Sequence, residues 1–214
     1  MIRRVPPVAT LLVLAAAAAM VWLGLWQLDR RAEKDALIAR YAANAGRPPL
    51  PFSALWPIDA ADLYRRATAT CLDVAGWRTA AGRDATGATG WRHIAQCRTG
   101  AEGPGIMVDM GVSASPDAPP WRGGAVDGRI VWAPDETPLA VRLSGRAPPS
   151  TPMIVSAAAA PGLRPTATPA PADLPNNHLA YAVQWFAFAT VAVAIYVIAL
   201  WRRGRAVAPG GLHR

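Results

Sequence analysis

The sequence predicts a membrane protein in which two transmembrane α-helices flank a periplasmic, β-rich domain, built as a small sandwich or an open barrel. Three observations predict it. Two long apolar runs free of charged residues lie near the two ends of the chain, at residues 8–26 and 179–201. Between them, short stretches alternate with period two and are separated by Gly and Pro clusters. Positive charge is one-sided about the second run, with Arg202, Arg203 and Arg205 after it and no Arg or Lys between Arg164 and its start.

Composition agrees. Of 214 residues, 52% are hydrophobic, above the 45–50% usual for soluble domains, and the excess is concentrated in the two runs. A hydrocarbon core of ~30 Å requires ~20 apolar residues at ~1.5 Å rise each, and both runs reach that length. The first run follows Arg3 and Arg4 and includes the small residues Ala15 to Ala19, as a cleaved signal peptide would. It continues through Val21, Trp22, Leu23, Leu25 and Trp26, beyond a signal core of ~7–15 residues, which favours an uncleaved anchor. The formal net charge is +8. The basic residues are scattered or flank the spans instead of forming the clustered stripe that nucleic-acid binding needs, so they read as topology signals.

In order along the chain, residues 1–7 form a cytoplasmic N-terminus and residues 8–28 the first span. The external region covers residues 29–177, and the second span residues 178–201. Residues 202–214 form a cytoplasmic tail. The positive flank after the second span assigns the C-terminus to the cytoplasm, and two spans return the N-terminus to the same side. A bacterial inner membrane is the simplest location. Arg30, Arg31 and Lys34 contravene that rule, because they follow the first span on the external side.

Within the external region, residues 29–41 continue the first helix in charged form until Pro48, Pro49 and Pro51 break it. The β-rich part covers residues 62–156. Its strand candidates include the alternations around Cys71, from Trp91 to Arg98, from Ile106 to Val112, from Gly128 to Trp132, and from Leu139 to Ser144, where Leu139, Val141 and Leu143 share a face. Residues 157–175 are rich in Ala and Pro and read as an extended linker. Cys71 and Cys97 fall in this region, either as a disulfide or as two buried thiols.

No phosphate-binding glycine loop, Gly-x-Ser-x-Gly elbow or His-Glu-x-x-His motif is present, so the chain is not expected to be an enzyme. The informative residues lie where each run meets the outer face. On the first helix, Gln27, Arg30 (or Arg31) and Lys34 project from one side; Trp26 beside them is an ordinary interfacial anchor. On the second, His178, Tyr181, Gln184, Trp185 and Phe188 recur at three- and four-residue spacing. A neutral imidazole in the first turn of a helix can bind a metal through a ring nitrogen. Gln184 lies inside the span, where an amide faces protein or a ligand; it either bonds the first helix or belongs to a cofactor face.

The two motifs, Gly24-Leu25-Trp26-Gln27-Leu28-Asp29-Arg30 and Asn177-His178-Leu179-Ala180-Tyr181-Ala182-Val183-Gln184-Trp185-Phe186, resemble those of the surfeit-locus family of cytochrome c oxidase assembly factors. The match is specific at both ends and loose in the middle. There the family runs a strand into Asn-Arg-Gly-Trp, while this chain has Val108-Asp109-Met110-Gly111-Val112 and keeps only the glycine. The resemblance implies a non-enzymatic chaperone that binds haem a transiently and assists its insertion into the catalytic subunit of cytochrome c oxidase, with haem a synthase as a second candidate partner. It implies His178 as the ligand to haem iron. Arg30, Arg31 and Lys34 would then face the haem propionates, and Gln27, Tyr181, Gln184 and Trp185 would line the cofactor. A haem-free scaffold that stabilises an oxidase subunit is the alternative reading.

Overall fold

The computed structural model describes residues 6–51, 59–100 and 105–205. Parts of the expected termini, residues 1–5 and 206–214, therefore lie outside the described residues. The chain divides into two compact units, one containing the apolar helices up to Leu37 and from Pro175 onward, the other Ile38–Leu174.

In the first unit, α1 (Pro7–Asn44) and α3 (His178–Arg205) are each long and apolar enough to cross a membrane. Most of their large apolar side chains face outward: Leu11 is 69% exposed and Ile195 62% exposed. A soluble protein would bury such side chains; hydrocarbon solvates them. The helices pair in antiparallel sense, because Thr10 hydrogen-bonds Tyr196 near one end and Gln27 bonds His178 near the other. Close approach requires small residues at the contact. Gly24, Ala182 and Ala189 are the buried positions of this pair. A Cβ at Gly24 would lie 2.5 Å from the Phe186 ring.

The second unit is a single mixed seven-stranded sheet, ordered β1 (Leu50–Pro51), β2 (Arg66–Cys71), β6 (Gly124–Trp132), β7 (Pro152–Ser156), β5 (Ile106–Ser113), β4 (Thr89–Arg98) and β3 (Asp73–Arg83). The strand pairs are antiparallel except β1–β2 and β5–β7. Only Leu72 separates β2 from β3, although they lie in opposite halves of the sheet order, so the sheet must curl at this corner. Leu72 N–H donates to the Arg98 carbonyl on β4, and a disulfide joins Cys71 to Cys97 with their Cα atoms 5.1 Å apart. Of the two expected architectures, the open barrel is the one formed, and of the two cysteine readings, the disulfide. Val108, Ile130 and Ile154 are fully buried on one face of the sheet, and Ile94, Met153 and Val155 form a buried cluster on the other.

Two expectations change, and one strand is added. Residues 139–143 form a one-turn helix, α2 (Leu139–Leu143), in place of a strand. Pro138 fixes the backbone at its start, its carbonyl accepts from the N–H groups of Val141 and Arg142, and no neighbouring strand is paired with it. The strand that does form nearby is β7, whose Met-Ile-Val run is buried throughout; a strand covered on both faces shows no alternation. Residues 157–175 are a packed strap, not a free linker. Arg164 exchanges backbone hydrogen bonds with Val112, and Ala160 N–H reaches the Met110 carbonyl.

The loosely matching Val108–Val112 stretch explains why the strap binds. The buried Asp109 carboxylate pairs with Arg92 at 2.6 Å and accepts from the Thr166 hydroxyl at 2.8 Å and the Gly111 N–H at 3.0 Å. Gly111 has φ of +128°, and a Cβ there would sit 2.6 Å from the Arg164 carbonyl oxygen. The glycine is retained because the strap crosses directly over it.

Candidate functional site

The candidate site lies within the helical unit, where the outer part of α1 meets the start of α3. His178 opens α3, so its position along the pair follows from where the helix begins. Gln27 lies three residues after Gly24, one turn along the face of α1 that packs on Phe186. The two side chains meet, with His178 Nδ1 2.7 Å from Gln27 Oε1. An amide oxygen only accepts, so Nδ1 is the donor in this contact, and in the neutral ring the lone pair then lies on Nε2. The imidazole is half-buried.

A second bond ties the same junction one step further out: the Asn176 amide donates to Asp35 Oδ1 at 2.8 Å. Asp35 also faces Arg31, whose Nε lies 3.5 Å from the other carboxylate oxygen. The sequence carried no sign of this Asn176–Asp35 pair, because the partners are 141 residues apart and a polar residue at a helix start has local uses that look identical.

The expected residues do not all share one surface. Gln27, Arg31 and Lys34 are half-buried, whereas Arg30 is exposed, ion-pairs with Glu33 at 2.6 Å and stacks over the Trp26 ring at 5.5 Å. Of the two arginines the spacing left open, Arg30 pairs with Glu33 and Arg31 with Asp35, which also holds Asn176. On α3, His178 and Trp185 lie at the α1 contact, both half-buried, while Tyr181, Gln184 and Phe188 are exposed on the adjoining face. Trp185 and Phe188 stack edge to face at 6.1 Å and join the two surfaces. Gln184 is exposed, and it is Gln27, from the opposite helix, whose amide crosses between the helices.

The chemistry available is a single imidazole nitrogen, an aromatic shelf beside it and cations on the outer side. Among the described residues, no three His, Cys, Asp or Glu side chains are grouped to hold a bare metal ion. One imidazole with a free Nε2 does suit a metal already held by a macrocycle, which needs only an axial ligand from protein. The donor set thus fits a haem. Among the described residues, a cavity of about 650 Å³ in the β-domain is lined by Thr68, Met110, Trp121 and Ser156, and its lining contains no His or Cys.

A sequence model of the SURF1 family matches residues 14–190 of the chain, a stretch that contains both helix-edge motifs. No curated protein matches it.

Proposed function

The chain belongs to the SURF1 family, and on that premise we propose that it holds haem a at the outer edge of its paired spans and passes it to the catalytic subunit of cytochrome c oxidase. The family's role is in cytochrome c oxidase assembly, and its members are assembly factors, not catalysts. The chain is accordingly a membrane protein with that role.

The observation that carries the haem reading is the bond from His178 Nδ1 to Gln27 Oε1, which presents Nε2 to a ligand. In this reading haem a is cargo. His178 supplies the axial nitrogen, and Trp185, Phe188 and Tyr181 offer apolar area to the ring. Arg31 and Lys34, with Arg30 on the flank, supply charge-assisted hydrogen bonds to the two propionates. That use also accounts for a basic cluster on the side where span-flanking cations are uncommon.

The proposed setting is a bacterial inner membrane with both termini cytoplasmic and the β-domain in the periplasm. Arg202, Arg203 and Arg205 after the second span support that orientation. The Cys71–Cys97 disulfide supports it independently, since such bonds persist in oxidising compartments. Haem a synthase is the proposed donor.

A haem-free scaffold would use the Gln27–His178 bond only to pair the helices. The two readings separate on haem content. Purified after co-expression with haem a synthase, the wild-type chain is expected to carry stoichiometric haem and His178→Ala to carry little. Equal haem content and identical spectra in both would overturn the proposal and leave the scaffold.

A further inference from the structure

We infer that Gln27 is a positioning residue, which touches no haem itself but fixes the tautomer and ring orientation of His178; this rests on the haem reading above. The family resemblance groups Gln27 with the residues expected to line the cofactor. The geometry assigns it a different task. Its Oε1 is 2.7 Å from His178 Nδ1, the ring nitrogen that cannot coordinate iron while it bears a proton.

A neutral imidazole has two tautomers, and a free ring exchanges between them and turns about its side-chain torsions. An acceptor held at Nδ1 selects the tautomer whose Nε2 lone pair is available. It also increases the basicity of Nε2, as outer partners of ligating histidines do. The acceptor must itself be held. Gln27 belongs to α1, one turn from Gly24, where the Phe186 ring of α3 closes against the backbone. The Asn176–Asp35 bond fixes the segment entering α3 from the other side of His178. The imidazole is thus set between two interhelical contacts, and its orientation is decided by the pairing of the helices. Separation of the spans would release the acceptor and the ring together. The inference therefore links helix pairing to ligand quality.

A Gln is suited to this place in a span. It accepts through Oε1 without bringing a formal charge into the bilayer edge, where a carboxylate is costly unless paired. A Glu would accept as well and would push further electron density through the ring. A Leu of similar size would pack but not accept.

The experiment uses the full-length chain in detergent, titrated with haem a and read by the Soret band, with the midpoint potential of the bound haem measured on the same samples. Gln27→Leu is expected to weaken binding by about 10- to 100-fold. Gln27→Glu is expected to retain binding and lower the midpoint potential. A merely structural role for Gln27 would not shift the potential of the Glu variant, and this readout stands even if the Leu variant folds poorly. If the wild-type chain needs His178 for binding, but the Leu variant binds equally and the Glu variant keeps the wild-type potential, the positioning inference fails alone. If His178→Ala binds haem a as wild type does, the haem reading itself fails.

Discussion

Gln27 Oε1 and His178 Nδ1 meet at 2.7 Å across 151 residues of sequence. The contact brings the end of the first apolar run to the start of the second and leaves the other imidazole nitrogen, Nε2, outside that bond. Every proposed use of the membrane edge depends on the two helices being held close enough for that bond, and the predictions begin with what holds them.

Gly24 admits the Phe186 ring, and a Cβ would come within 2.5 Å of it. Gly24→Ile is expected to lower stability by about 1–3 kcal/mol through overpacking, measured by thermal unfolding in detergent. Adding Phe186→Ala should recover part of that loss, because the two residues share one contact. Strictly additive effects would contradict the packing described.

Asp109 is fully buried and joins Arg92, Thr166 and the Gly111 N–H. Asp109→Ala removes one member of a buried ion pair and strands the other groups. It is expected to cost about 3–5 kcal/mol, seen as a lower denaturant midpoint of the tryptophan fluorescence transition. The strap carrying Thr166 should also become sensitive to limited proteolysis.

The Cys71–Cys97 bridge closes a loop across 26 residues. Loop-closure entropy gives it a stabilising effect of about 3.5 kcal/mol. Reduction, or the double substitution of both cysteines by Ser, should lower the unfolding temperature of the β-domain. The helix pair makes no use of the bridge, so its haem content should be unchanged.

Asp84 is held below the usual carboxylate range, first by the Thr86 hydroxyl, then by the Ala88 and Thr86 N–H groups and by Arg164. A depressed folded-state value contributes stability above the unfolded value, near pH 4, and that contribution is lost as pH falls through the folded one. Asp84→Asn should therefore be less stable than wild type at neutral pH, with the gap narrowing below about pH 4. A gap independent of pH down to strong acid would refute the assignment.

The spans were legible because lipid imposes a length and a composition that few other structures share, and both appear as unbroken apolar runs. The motifs at their outer ends were legible because local helical spacing sets which residues share a face. Helical spacing left Arg30 and Arg31 as alternatives, and only the structure showed their separate partners, Glu33 and the Trp26 ring for Arg30 and Asp35 for Arg31. The Leu139–Leu143 alternation misled because period two describes a strand only when a neighbour pairs with it. The Ala/Pro-rich strap read as a linker because its partners, Val112 and Asp109, lie far back in the chain.

By itself the sequence determined two membrane-length helices, a β-rich middle and a polar cluster at each outer helix end. These follow from periodicity and hydrophobicity, which are properties of neighbouring residues. Only the tertiary structure decided that Cys71 bonds Cys97, that the sheet curls instead of stacking, and that Gln27 accepts from His178. Each depends on groups brought together across long stretches of chain, and such meetings are set by packing, which local pattern does not encode.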